Sequence, residues 1–251
     1  MAGSKGKSSG GKRTGAAPGG GSRSMTVTVK TAKRRKLSST LWLQRQLNDP
    51  YVQEAKRLGY RSRAAFKLIQ LDERFHLLHP GTRVVDLGAA PGGWTQVAVS
   101  RVRAGQPKGG QVVGIDILEW DPVPGAITLQ GDFLADDAPD RLKEALGGPA
   151  DLVLSDMAAP TTGHPPTDHI RIIALVEVAL HFAGEVLAPG GAFVAKVFQG
   201  GTEKTRLDLL QRNFATVRHA NPAASRAESA ETYVVAQGFR GAVPAEDPDR
   251  K

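Results

Sequence analysis

From Thr82 to Phe198, short apolar runs alternate with segments of helical spacing, and this alternation constrains the fold more than any other feature. The runs "TRVVDLG" (82–88), "QVVGIDIL", "AITLQGDF" and "DLVLSDM" are rich in Val, Ile and Leu and are bounded by Gly, Asp or Pro, as buried strands are. Between them, "WTQVAVSRV" and "IRIIALVEVALHFAGEVL" (170–187) repeat apolar residues at helical intervals. The second helix is expected to stop at "APGG", ahead of a fifth strand at 192–198. Two later runs, "FATVRHA" and "ETYVVAQGF", lie close enough in the chain to pair antiparallel. Strands that alternate with helices in this way predict a largely parallel α/β sheet with helices on both faces. Residues 38–75 precede that sheet and carry helix-type spacing, with Tyr60, Ala64, Phe66, Leu68 and Leu71 in the second half.

The first strand runs into "DLGAAPGGW" (86–94), a strand end, a tight glycine turn and a helix start. In open α/β sheets ligands bind at the carboxyl ends of the strands, where a glycine turn lets them approach the backbone. Gly88, Gly92 and Gly93 do not fit the dinucleotide spacing G-x-G-x-x-G, and the Lys-Ser/Thr of a phosphate-binding P-loop is absent. Pro91 also removes an amide that a pyrophosphate cradle would use. Acids close three successive strands: Asp86, Asp116 and Asp132. A nucleoside offers hydroxyls and an exocyclic amine, S-adenosyl-methionine adds an ammonium, and carboxylates accept from all of these.

The fourth strand ends in "SDMAAP" (155–160), without the aromatic residue expected of enzymes that methylate exocyclic amines. Asp156 suits a site beside a cationic sulfonium. The fifth strand, "GAFVAKVF" (191–198), places Lys196 among Phe193, Val194, Val197 and Phe198. A buried ammonium is costly, and an amine relieved of its proton by desolvation is a base.

Together these segments resemble the Rossmann-like class I S-adenosyl-methionine-dependent methyltransferases, and "DLGAAPGGW" is similar to the FtsJ-type RNA ribose 2′-O-methyltransferases. The resemblance runs from about Ser38 to Arg240. It implies a mostly parallel seven-stranded sheet with an antiparallel last strand. It also implies cofactor contacts from Asp86, Gly88, Gly92, Gly93, Trp94, Asp116, Asp132, Phe133 and Asp156. "SRAAFKL" (62–68) and "ASRAESAETY" (224–233) complete a Lys-Asp-Lys-Glu set in the family's chain order: Lys67, Asp156, Lys196 and Glu231. In that set Lys196 is expected to be the general base, oriented by Asp156, with Lys67 keeping its pKa low and Glu231 anchoring the lysines or the ribose. "LWLQRQLNDPYVQEAKRLGYRSRAAFKL" is typical of the bacterial subgroup that methylates a uridine 2′-hydroxyl in 23S rRNA, free or within the large ribosomal subunit or its precursor. A tRNA-directed enzyme of the same family and a non-catalytic RNA-binding assembly factor are the alternative readings. Arg61, Arg63 and Arg226 are candidates for positioning RNA phosphates, and plain surface solvation fits each of them as well.

Charge separates the termini from the body. Residues 1–37 hold ten Lys or Arg and no acid, which leaves 23 basic against 25 acidic residues in the remainder of the 251. Such a Gly/Ser/Lys-rich tail is expected to be disordered, and "KTAKRRK" suits both a polyanion-attracting role and a solubilising one. Residues 38–240 are expected to form the methyltransferase domain, and 241–251 a loose tail. No window approaches the roughly 18 uninterrupted apolar residues of a membrane span, and the basic N-terminus lacks the apolar core of a secretory signal. The absence of cysteine rules out disulfides, thiolate catalysis and cysteine-bound zinc. A cytoplasmic, monomeric protein that needs no metal is the expectation.

Overall fold

The computed structural model describes residues 37–158, 163–198, 204–226 and 231–241. The disorder expected of the basic N-terminal segment and the loose C-terminal tail concern residues that lie, almost entirely, outside that range. The chain divides into two compact units, Met1–Asn48 and Asp49–Lys251. Helix α1 (Leu37–Leu47) belongs to the first, and all that follows concerns the second.

Two short helices precede the sheet. The Asp49 side chain accepts from the Tyr51 amide and caps α2 (Pro50–Leu58), with Pro50 opening its first turn and Gly59 closing it in the left-handed conformation. In α3 (Ala65–Phe75), Leu68, Leu71 and Phe75 recur on one buried face. Asp72, buried near its end, accepts from the amides of Leu77 and Leu78 and turns the chain toward the first strand.

The sheet is built from β1 (Arg83–Leu87), β2 (Gln111–Asp116), β3 (Ile127–Gln130), β4 (Ala150–Ser155), β5 (Leu187–Phe198), β6 (Phe214–Ala220) and β7 (Glu231–Phe239). Its order is β3-β2-β1-β4-β5-β7-β6. The five strands from β3 to β5 pair in parallel, whereas β7 runs antiparallel to both β5 and β6. Helices α4 (Gly93–Val102), α5 (Ala138–Leu146), α6 (Pro165–Val186) and α7 (Lys204–Asn213) connect them.

Because successive strand residues face opposite sides, the sheet sorts the core into two layers. Val84, Val112, Leu154, Val194 and Val235 pack with α3 and α4. Val85, Val113, Val153, Phe193 and Val234 pack with α5, α6 and α7. The expected helices on both faces are therefore present.

Two boundaries differ from the sequence reading, and two helices are additional to it. Helix α6 begins at Pro165 rather than 170, since Pro165 and Pro166 fit a first helical turn that needs no amide donors. "APGG" does end α6 but does not precede the strand: Ala150 pairs with Leu187 and Leu152 with Ala192, so Ala188–Gly191 form a bulge inside β5. Helices α5 and α7 do not stand out in the sequence: both are short, α7 is mostly polar, and charged residues interrupt the apolar positions of α5.

Candidate active site

Strand pairing assembles the polar cluster. Lys196 on β5 lies opposite Tyr233 on β7, and Glu231 sits two residues before Tyr233, on the same face of the strand. Asp156 follows the last residue of the neighbouring β4. Lys196 Nζ donates to the main-chain oxygen of Asp156 at 2.8 Å and lies 3.1 Å from its Oδ1. With its side chain only 6% exposed, that ammonium is tolerated because it has two acceptors.

Lys67 on α3 makes a second pair, donating to Glu231 Oε2 at 2.9 Å. Tyr233 joins the two. Its hydroxyl donates to Asp156 Oδ1 at 2.8 Å, and Lys67 Nζ lies 5.6 Å from the centre of its ring. Burial, and then the charge of Asp156, raises the Tyr233 phenol well above its ordinary pKa, so it remains a donor. Sequence reading missed Tyr233, since a tyrosine in an apolar strand looks like core. Only the β5–β7 register shows that it faces Lys196.

The four residues of the expected set are thus brought together as two ion pairs linked by a phenol. Lys67 takes Glu231 as its partner, and Lys196 takes Asp156.

The glycine loop adjoins this cluster. Gly88 (φ +76°) packs so closely that a Cβ there would lie 2.6 Å from Met157 Cγ, next to Asp156. Gly92 (φ +106°) has Val123, Arg61 and Trp120 within 3.2 Å of where its Cβ would be, and a Cβ on Gly93 would strike Ser62 Oγ. Asp86 is buried beneath the loop, and its Oδ2 accepts from Thr95 Oγ1 on α4 at 2.7 Å. Its Oδ1 is buried without a hydrogen-bond partner among the described residues. Burial above all, against the Thr95 hydrogen bond and with help from the charges of Asp156 and Asp116, raises this carboxyl to about 7. A buried carboxylate oxygen lacking a donor is what a ligand ammonium would satisfy.

The other two strand-end acids shape turns. Asp116 accepts from the amides of Ala90 and Leu118, tying the glycine loop to the end of β2. Asp132 accepts from Leu134 in the same manner after β3. The two turns present Ile117, Leu118 and Leu134, all more than half exposed, although none of them stood out in the sequence.

Trp94 and Phe133 lie in the core. The Trp94 indole donates to Ala64 O and packs on Tyr233 at 5.7 Å, and Phe133 meets Phe182 edge to face at 5.5 Å. Arg63 reaches Asp49 at 2.7 Å and donates to Ala224 O, and Arg226 shares the same carboxylate oxygen at 3.5 Å.

A mostly parallel seven-stranded sheet with an inverted β7, and a glycine turn and acids at its carboxyl edge, define a Rossmann-like fold of the class I methyltransferases. The model of the FtsJ-like methyltransferases matches residues 60–239, and the chain belongs to that family. A Paramagnetospirillum magneticum protein named ribosomal RNA large subunit methyltransferase E is 83% identical over 237 residues, covering 94% of this chain and 97% of its own. The protein of the same name from Rhodospirillum rubrum is 66% identical over 230 residues, covering 92% and 88%. A Plasmodium falciparum crystal structure described as a ribosomal RNA methyltransferase superposes with a TM-score of 0.63 at 30% identity, over 72% of this chain and all of that one. Membership makes the chain a methyltransferase, which requires a methyl donor. No helix among the described residues is long and apolar enough to cross a membrane.

Proposed function

We propose that this chain is an S-adenosyl-methionine-dependent methyltransferase that acts on the 2′-hydroxyl of a uridine ribose in 23S rRNA. We place it in the cytoplasm, working as a monomer on the large ribosomal subunit or its precursor, with residues 38–240 as the catalytic domain. The names of the two bacterial relatives support the substrate class. The observation that carries the reaction is the pair of acceptors around Lys196 Nζ, supplied by one residue, Asp156.

Those acceptors engage two N–H groups of Lys196 in either protonation state. The remaining tetrahedral position then carries a proton or, in the neutral amine, a lone pair. Neutral Lys196 takes the proton of the ribose hydroxyl as its oxygen becomes methylated. Asp156 stabilises the ammonium that results, and Tyr233 holds the carboxylate by donating to the same oxygen, Oδ1, that Lys196 contacts. The Lys67–Glu231 pair closes the site next to Tyr233 and gives the ribose both a donor and an acceptor. Proton positions within so coupled a cluster belong to the group rather than to one member.

When bound, S-adenosyl-methionine supplies an electrophilic methyl group on a sulfonium. The residues present fit it. Asp86 Oδ1 lacks the donor that the ammonium offers, and Gly88 and Gly92, at positive φ and packed where a Cβ would clash, give the loop the tight turn that exposes its backbone to a ligand. Asp116 would accept from the nucleoside hydroxyls, Asp132 and Phe133 would hold the adenine, and Ile117, Leu118 and Leu134 would flank it. Trp94 would support the pocket from the core, and Asp156 would face the sulfonium.

Lys196→Ala is expected to reduce methyl transfer by about 10²–10⁴-fold while leaving S-adenosyl-homocysteine affinity unchanged. Wild-type turnover by this variant would reject Lys196 as base. Mapping ribose methylation in cells lacking the protein tests the substrate, since 23S rRNA with every ribose methyl retained would refute it.

A further inference from the structure

Arg61 has the sequence context of an RNA contact, but its guanidinium is engaged by main-chain carbonyls. Nη1 donates to Pro91 O at 3.2 Å and to Asp121 O at 2.5 Å, and Nη2 donates to Pro122 O at 2.7 Å. Both hydrogens of Nη1 and one of Nη2 are therefore committed to main-chain carbonyls. Its own amide donates to Gln96 Oε1 at 2.8 Å, and Gln96 Nε2 donates back to Gly59 O at 3.0 Å, which locks the residue against α4.

The three carbonyls come from two separate loops. Pro91 belongs to the glycine turn after β1, and Asp121 and Pro122 belong to the connection after β2. Both loops lie at the carboxyl edge of the sheet, where open α/β folds place their ligand cleft. At Gly92 they touch: Arg61 Nη1, Val123 Cγ2 and Trp120 Cζ3 all lie within 3.2 Å of its would-be Cβ.

We infer that Arg61 is a positioning residue for cofactor binding: its planar fork bolts the glycine turn to the 121–122 loop and fixes the wall that the two loops form beside that cleft. The role needs the fork rather than the charge, because one ammonium cannot reach three carbonyls on two loops with the planar spread of a guanidinium. It rests on the reading of this cleft as the S-adenosyl-methionine site, and it displaces Arg61 from the set of RNA phosphate contacts.

Arg61→Lys separates the two roles, since lysine retains the cation and loses the fork. S-adenosyl-homocysteine affinity would be measured calorimetrically in the full chain. 23S rRNA affinity would be measured across a range of salt, and melting temperature in parallel. The clamp predicts that the cofactor product binds about tenfold or more weakly to Arg61→Lys, as a misplaced loop requires. It also predicts that rRNA affinity and its salt slope match the wild type. Arg61→Gln keeps planar donors without the charge and is expected to recover part of the cofactor affinity. Unchanged cofactor affinity in Arg61→Lys, or equal loss in Arg61→Gln and Arg61→Ala with rRNA binding weakened and its salt slope lower by about one, would overturn the clamp. Wild-type protein that fails to bind S-adenosyl-homocysteine would instead reject the cofactor reading, and the clamp with it.

Discussion

Asp86 shows how one buried carboxyl couples the site to stability. Its folded pKa of about 7 lies above the ordinary 3.8. Below pH 4 both folded and unfolded chains keep the proton, and its burial is tolerated. Between pH 4 and 7 the unfolded chain releases the proton while the folded one holds it, so stability falls as pH rises and levels off above 7. Asp86→Asn removes this dependence. Urea unfolding from pH 4 to 8 should show the wild type losing on the order of a few kcal/mol relative to the variant across that window. Parallel curves for the two proteins would mean that the Asp86 carboxyl ionises as readily folded as unfolded. The acids, the glycine turn and Lys196 were all legible as unusual residues at strand ends. Their partners were not, because pairing depends on register and on side-chain direction. Arg61 makes the point most clearly: an arginine donating to main-chain carbonyls and one awaiting a phosphate have the same one-letter code.

At the scale of an element, α2 depends on its cap. Asp49 satisfies an amide of the first turn, and its other oxygen receives Arg63 and Arg226. Burial lowers the Arg63 guanidinium from its ordinary pKa against the pull of Asp49, which marks the pairing as a partial offset to desolvation. Asp49→Ala removes the cap, worth about 1 kcal/mol, and strands a largely buried cation. A total loss of about 2–4 kcal/mol in chemical denaturation is expected, and a loss below 1 would show that Arg63 finds water instead. The existence of α2 was legible within one long helical stretch, but its limits at Asp49 and Gly59 were not separated from those of its neighbours. Similarly, "APGG" reads as punctuation, and only the pairing of β4 with β5 shows that a strand absorbs it as a bulge.

Across the whole molecule, the aromatic residues Phe193, Phe214 and Phe239 join β5, β6 and β7, with ring centres 6.5 and 5.3 Å apart. Phe214 is fully buried between the other two. Phe214→Ala is expected to cost about 3–5 kcal/mol, a large share of the stability of an ordinary domain. Equilibrium unfolding monitored by circular dichroism checks this, and a cost under about 1.5 kcal/mol would mean that the site collapses to fill the void. The placement of β7 also has a consequence for synthesis. The strand made last enters the sheet between two made before it, and it carries Glu231 and Tyr233. A nascent chain released before Phe239 therefore holds the glycine turn, Asp156 and Lys196 but lacks the strand that faces them. Under the proposed mechanism, synthesis through Phe239 becomes a condition for chemistry, and a product terminated ahead of β7 is expected to be inactive rather than partially competent.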